Sequence, residues 1–137
     1  MALRFARSAA QQRRRDLWIG VERTARATTV TAAGRIDLAT EAPWHDEVMQ
    51  ACTATDATAH VTIDLTRVTH LSWASTEVLR RAHRACIRRG RALTITAAGA
   101  VLTSLQLTRL HEEIVITAAP RPEHARRPVA ASGWLTA

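Results

Sequence analysis

Three hydroxyls stand within five residues in Ser72-Trp73-Ala74-Ser75-Thr76, directly after an apolar-rich stretch that begins at Asp64. A serine at the start of a helix can do one of two things. It can cap the helix by accepting a hydrogen bond from an exposed backbone N–H, or it can receive a phosphate, which the positive end of the helix dipole then accommodates. Ser72 is placed to be the cap of the helix that follows, and Trp73 beside it has no hydroxyl to modify. Other chemistry is hard to assemble from this chain. The six His residues, at 45, 60, 70, 83, 111 and 124, show no metal-ligand pairing, and His111-Glu112-Glu113 lacks the second His of a zinc site. Without a single Lys there is no Gly-rich phosphate loop of the usual type. Cys52 and Cys86 fit no Cys-x-x-Cys spacing. No catalytic residue, metal or cofactor is expected, and the chain reads as a binding module rather than an enzyme.

The elements that position these hydroxyls follow from periodicity. Leu17-Trp-Ile-Gly-Val-Glu22 and Thr28-Thr-Val-Thr-Ala-Ala-Gly-Arg-Ile36 are β-branched runs separated by a polar turn, which predicts a hairpin-like pair of strands. Thr40 before Glu41-Ala42-Pro43 predicts a hydroxyl-capped helix start with Pro in the first turn. That helix turns Trp44, Val48, Ala51 and Cys52 to one face and ends near Thr55. A third strand is expected over 59–65. A second helix over 74–89 follows, closed by Gly90, with Val78, Leu79, Ala82, Ala85 and Cys86 facing the core. A strand over 91–96, a helix over 101–110 and a last strand over 114–116 complete the order β-β-α-β-α-β-α-β. Helices between successive strands imply crossover connections and an α/β sandwich with a mixed, mostly parallel sheet.

The 137 residues suffice for one domain. The net charge of +7 lies in the ends: residues 1–15 hold five Arg and no acid, residues 118–137 three Arg and one Glu, and residues 16–117 eleven Arg and eleven acids. The expected organisation is a domain over 16–117 between disordered tails, a basic one over 1–15 and one over 118–137. Exclusive use of Arg with abundant Ala points to a GC-rich, bacterial coding bias, which removes the argument from charge to direct nucleic-acid binding. No apolar run approaches the roughly 20 residues of a membrane span. Both Cys fall on apolar helix faces, where free Cys acts as a small hydrophobe, and this points to a reduced, cytoplasmic setting.

Four blocks, in order, resemble the STAS family, named for sulfate transporters and anti-sigma-factor antagonists. Gly34-Arg-Ile-Asp37 with Thr40 is similar to the family's Gly-Glu-Leu-Asp-x-x-Thr, and Asp64-Leu-Thr-Arg-Val68 to Asp-Leu-Ser-x-Val. Leu71-Ser-Trp-Ala-Ser75 stands where the family carries Leu-Asp-Ser-Ser-Gly, and Leu107-Thr-Arg-Leu110 where it carries Leu-Thr-Gly-Leu. Trp73 thus occupies the place of the phospho-acceptor serine, Ser72 that of the preceding aspartate, and Arg109 that of a glycine.

The resemblance implies a protein-binding STAS domain whose partner face comprises Asp37, Ser72, Trp73, Ala74, Ser75 and Thr76. The implied partner is an anti-sigma factor of the serine-kinase type, whose capture would free a sigma factor for transcription. Without the acceptor hydroxyl, binding would not be switched at position 73, and any phosphorylation would fall on Ser72 or Ser75. The alternatives are a small STAS subunit of a lipid-transport ABC system, and a ligand-sensing STAS domain.

Several residues stay open between two roles. Trp73 is either an exposed interface anchor or folded back over the sheet edge; Asp37 either meets a partner or shapes the turn before the first helix. Arg80, Arg81, Arg84 and Arg88 form either an anion-docking stripe or a solvated face. Trp18 and Trp44 are expected in the core, and Trp134 in the tail.

Overall fold

In a computed structural model the chain is described over residues 2–5 and 17–119. Six strands form one mixed sheet in sequence order: β1 (Ala2–Phe5), β2 (Leu17–Arg23), β3 (Ala27–Ile36), β4 (His60–Leu71), β5 (Ala92–Ala97) and β6 (Val115–Ala118). The pairs β1–β2 and β2–β3 are antiparallel, and β3–β4, β4–β5 and β5–β6 are parallel. Helices α1 (Glu41–Thr53), α2 (Trp73–Arg88) and α3 (Gly99–Leu107) make the three crossovers. Because each crossover advances the sheet in the same direction with the same hand, all three helices fall on one face.

That face holds the core. Strand residues at alternate positions, among them Ile19, Val30, Ile63 and Ile95, meet Trp44 and Val48 of α1, Val78 and Leu79 of α2 and Leu105 of α3, all fully buried. The other face carries the odd set of the alternation. Thr29, Thr62 and Thr94 lie side by side across β3, β4 and β5, half-buried. This polar, β-branched face is why the strand signal is strong and why the described residues form no third layer.

The structure corrects several sequence expectations. Trp18 is not core but 41% exposed. Leu17, Ile19 and Val21 turn to the helices, so period-2 alternation sends Trp18 to the open face, where its indole lies over Gly20. An ideal Cβ at position 20 would stand 2.5 Å from the ring, so any larger residue there would require the indole to move. Part of the segment expected as a tail joins the sheet: Ala2–Phe5 pairs with Gly20–Arg23 as an edge strand. Backbone hydrogen bonds to an open sheet edge need no apolar periodicity, so hydropathy could not show it. The domain also runs one residue past its expected end, to Ala118 in β6, while residues 6–16, 120–137 and Trp134 lie outside the described residues. Strand β4 is longer than expected, reaching Leu71 through register shifts against β3.

The third helix stops at Leu107 rather than continuing to Leu110. Arg109 is the break: it sits in the left-handed region at φ 62, ψ 23, and a short 3-10 turn (Leu110–Glu112) follows. An L-residue there costs about 1–2 kcal/mol, which glycine avoids. Opposing the change to glycine are the exposed Arg109–Glu112 ion pair and the greater freedom of glycine in the unfolded chain, each a fraction of that cost. Arg109→Gly is therefore expected to stabilise the fold by about 0.5–1 kcal/mol, read as a higher denaturant midpoint at unchanged slope. A lowered midpoint would show that the ion pair outweighs the backbone strain.

Candidate functional site

Strands β3 and β4 are parallel and end together, with Ile36 opposite Leu71. The amide of Ser72 donates to the Ile36 carbonyl at 2.9 Å, so the loops that open α1 and α2 lie side by side at the carboxyl edge of the sheet. In an open α/β sheet, this is where binding residues collect.

In the first loop Asp37 shapes the turn. Its Oδ1 accepts from the amides of Ala39 at 3.0 Å and Thr40 at 3.2 Å, and Arg35 Nε stands 3.7 Å from Oδ2. Desolvation pushes its carboxyl up, but the hydrogen bonds from Ala39 and Thr40 and the Arg35 charge outweigh it and hold the pKa below the ordinary 3.8. Thr40 does not cap α1 with its hydroxyl as expected. Its Oγ1 accepts from the Asp37 amide at 2.9 Å and donates to the Arg35 carbonyl at 3.0 Å, folding the loop back on the end of β3. The turn leaves Leu38 85% exposed.

In the second loop Ser72 is the cap of α2, accepting from the amide of Ser75 at 3.3 Å. The hydroxyls of Ser72 and Ser75 are also hydrogen-bonded to one another, at 2.9 Å. Ser75 is wholly buried and Thr76 is 2% exposed, its Oγ1 donating to the Trp73 carbonyl at 2.6 Å. These two hydroxyls hold the first turn together, and a kinase could reach the buried Ser75 only by unwinding that turn. Ser72 and Ala74 are half-buried. Trp73, the first residue of α2, is 70% exposed, because the residues that face the core begin with Ser75, Val78 and Leu79 on the far side of the helix.

The indole is not isolated. Leu71, Trp73 and Thr76 form one wall of a cleft of about 340 Å³, and Ser104, Leu107 and Thr108 of the α3 end form the other. Leu107 is 79% exposed. Arg80 fixes this arrangement: its guanidinium bonds Glu77, Glu113 and the Thr108 carbonyl, tying α2 to the connection before β6. Of the stripe read from the sequence, Arg80 is therefore a structural tie with only 15% of its side chain exposed, whereas Arg81, Arg84 and Arg88 are exposed. Leu38 and Leu107 were missed by sequence reasoning. Leu38 lies in a loop, where no period applies, and Leu107 closes α3, whose mostly apolar sequence marks no clear face.

The two cysteines are spent on structure. Cys52 and Cys86 come together between α1 and α2, both buried, and the hydrogen bond to Cys86 and burial push the Cys52 thiol far above its ordinary range. Among the described residues no cluster of His, Cys, Asp or Glu could hold a metal ion, and no helix is long and apolar enough to cross a membrane.

A mixed sheet with three helices on one face, and two helix-opening loops side by side at its carboxyl edge, defines a class of α/β domain. A family model described as "Mlab, STAS domain" matches residues 19–118, and the chain belongs to the STAS domain family. No curated protein matches it in sequence. Among solved structures it is similar to an anti-sigma factor antagonist from Mycobacterium paratuberculosis, with 20% identity, a TM-score of 0.67, and 80% of this chain and 90% of that chain covered. It is also similar to the Bacillus cell fate determinant SpoIIAA in its phosphorylated form, with 12% identity, a TM-score of 0.59, and 80% and 97% covered. At these identities the likeness establishes the fold.

Proposed function

We propose that this chain is a non-enzymatic, cytoplasmic STAS domain that acts as an anti-sigma-factor antagonist, binding an anti-sigma factor of the serine-kinase type without a phospho-switch at position 73. The observation that carries the reading is Trp73: an exposed indole stands at the head of α2, where the family's acceptor serine would be, with its neighbours Ser72 and Ser75 committed to the helix cap. A phosphate there would sit at the positive end of α2, adding about two negative charges to a face the partner must cover. An indole supplies apolar area instead and is insensitive to ATP. The small STAS subunit of a lipid-transport ABC system is the second reading, since a face without the phospho-acceptor hydroxyl suits a contact that needs no phosphorylation.

Incubation with the anti-sigma kinase and ATP tests the first reading. The natural protein is expected to stay unmodified and bound. Trp73→Ser, which restores a hydroxyl on the exposed first turn, is expected to become phosphorylated and to lose the kinase. Stoichiometric labelling of the natural protein at Ser72 or Ser75 with release of the kinase would overturn the phosphorylation-independent reading. Retention of a transporter ATPase in place of an anti-sigma factor would replace it with the second.

A further inference from the structure

At the opposite end of the sheet from Trp73, where α1 and α2 finish and β4 and β5 begin, the surface sinks into a cleft of about 840 Å³. That is within the range of small-molecule sites. Its lining is basic: Arg88, Arg89 and Arg91 against the single carboxylate of Asp56, with the hydroxyl-bearing Thr53 and Thr55 on the α1 side. Asp56 is already neutralised. Its Oδ1 accepts from the Thr58 amide and from Arg91, and its Oδ2 from Arg23 at 3.0 Å. Arg91 is buried and engaged with Asp56 and the carbonyls of Ala51 and Ala54, so it contributes charge rather than free donors.

Arg88 and Arg89 differ. Both are exposed, both border the cleft, and neither side chain has an ion pair or hydrogen bond among the described residues. The ordinary reason for arginines at the end of a helix is to satisfy its last carbonyls and oppose its dipole. Here those carbonyls are taken by backbone: Cys86 O accepts from the amides of Arg89 and Arg91, and Ile87 O from that of Gly90. The final carbonyls of α1 are likewise held, by Arg91 and by the amide of Asp56. Neither Arg88 nor Arg89 is used on these carbonyls, and two unengaged guanidinium forks remain beside the charge of Arg91.

We propose that this cleft binds a phosphate monoester, the anion whose three peripheral oxygens match two guanidinium forks and the Thr55 hydroxyl. The cleft leaves room for the group that carries the phosphate. The site lies at the other end of the molecule from the partner face and does not depend on the function proposed above.

The test is binding of inorganic phosphate and of glycerol 3-phosphate by titration calorimetry at constant ionic strength, with sedimentation of phosphatidylcholine vesicles with and without phosphatidic acid. Saturable binding of glycerol 3-phosphate would identify a soluble ligand. Binding only to phosphatidic acid vesicles would identify a lipid headgroup; either supports the site. R88Q/R89Q is expected to weaken binding about tenfold or more, while R81Q/R84Q, which removes the same charge from the exposed face of the same helix, changes it less than about twofold. Both variants alter exposed side chains, and unchanged thermal unfolding checks that they fold. Absence of saturable binding in every arm, or equal losses in the two double variants, would overturn the proposal and leave only diffuse charge.

Discussion

Replacing Trp73 with alanine is expected to weaken partner binding by about 2 kcal/mol or more, roughly thirtyfold, while shifting stability by less than about 0.5 kcal/mol. The asymmetry follows from its place. The indole stands on the first turn of α2 with most of its surface in solvent, so the folded monomer gains little from it. A partner that covers it would remove a large amphipathic surface from water, and would do so on a site backed by the rigid cap of Ser72 and Ser75. Leu107→Ala and Leu38→Ala should weaken the same complex by smaller amounts, the former more, because Leu107 shares the Trp73 cleft. Titration calorimetry for affinity and chemical denaturation for stability separate the outcomes. A stability loss of about 3 kcal/mol with unchanged affinity would return Trp73 to the core and remove the anchor.

Arg91→Met is the substitution expected to damage the fold most. The guanidinium is buried and bonds the carbonyls of Ala51 and Ala54 at the end of α1 and the carboxylate of Asp56, clamping the α1–β4 loop onto the start of β5. Methionine keeps the stem but strands those acceptors, and loss of one partner of a buried pair costs about 3–5 kcal/mol. The lower end, about 3 kcal/mol, is expected because Asp56 is partly exposed and can hydrate when abandoned. Arg23→Met, which breaks only the solvent-facing bond to the same carboxylate, should cost less than about 1 kcal/mol. Equal losses in the two variants would show that the buried clamp adds nothing.

The clamp also has a pH signature. Hydrogen bonds from Thr58, then the charges of Arg91 and Arg23, hold the Asp56 carboxyl below its ordinary 3.8. A depressed folded-state pKa contributes stability that is complete above the unfolded value and lost as pH falls through the folded one. The gap between natural protein and Arg91→Met should therefore stay constant from neutral pH to about pH 5 and narrow below about pH 4. Denaturation curves across that range check it.

Most of the scaffold was legible in the sequence because it repeats. Period-2 runs fixed β2 to β5, and a 3.6-residue period on Trp44, Val48, Cys52 and on Val78, Leu79, Ala82, Cys86 fixed two helices and the face each buries. Alternation of strand and helix then implied parallel crossovers and an α/β sandwich. The cap at Ser72 and the terminator at Gly90 were local chemistry, readable residue by residue. Trp18 was misread although the signal was present, since its neighbours Leu17 and Ile19 already claimed the core face.

What tertiary structure alone decided has no period to betray it. Edge strand β1 depends on a backbone edge offered by β2. The left-handed turn at Arg109 is imposed by the need to bring Leu110 into the core. Arg80 and Arg91 look like solvated charges in the sequence, and become ties only because residues about thirty positions away supply their acceptors. The pairing of Trp73 with Leu107 arises in the same way. The head of α2 and the end of α3, unrelated in sequence, meet across one cleft, and both side chains stay exposed among the described residues.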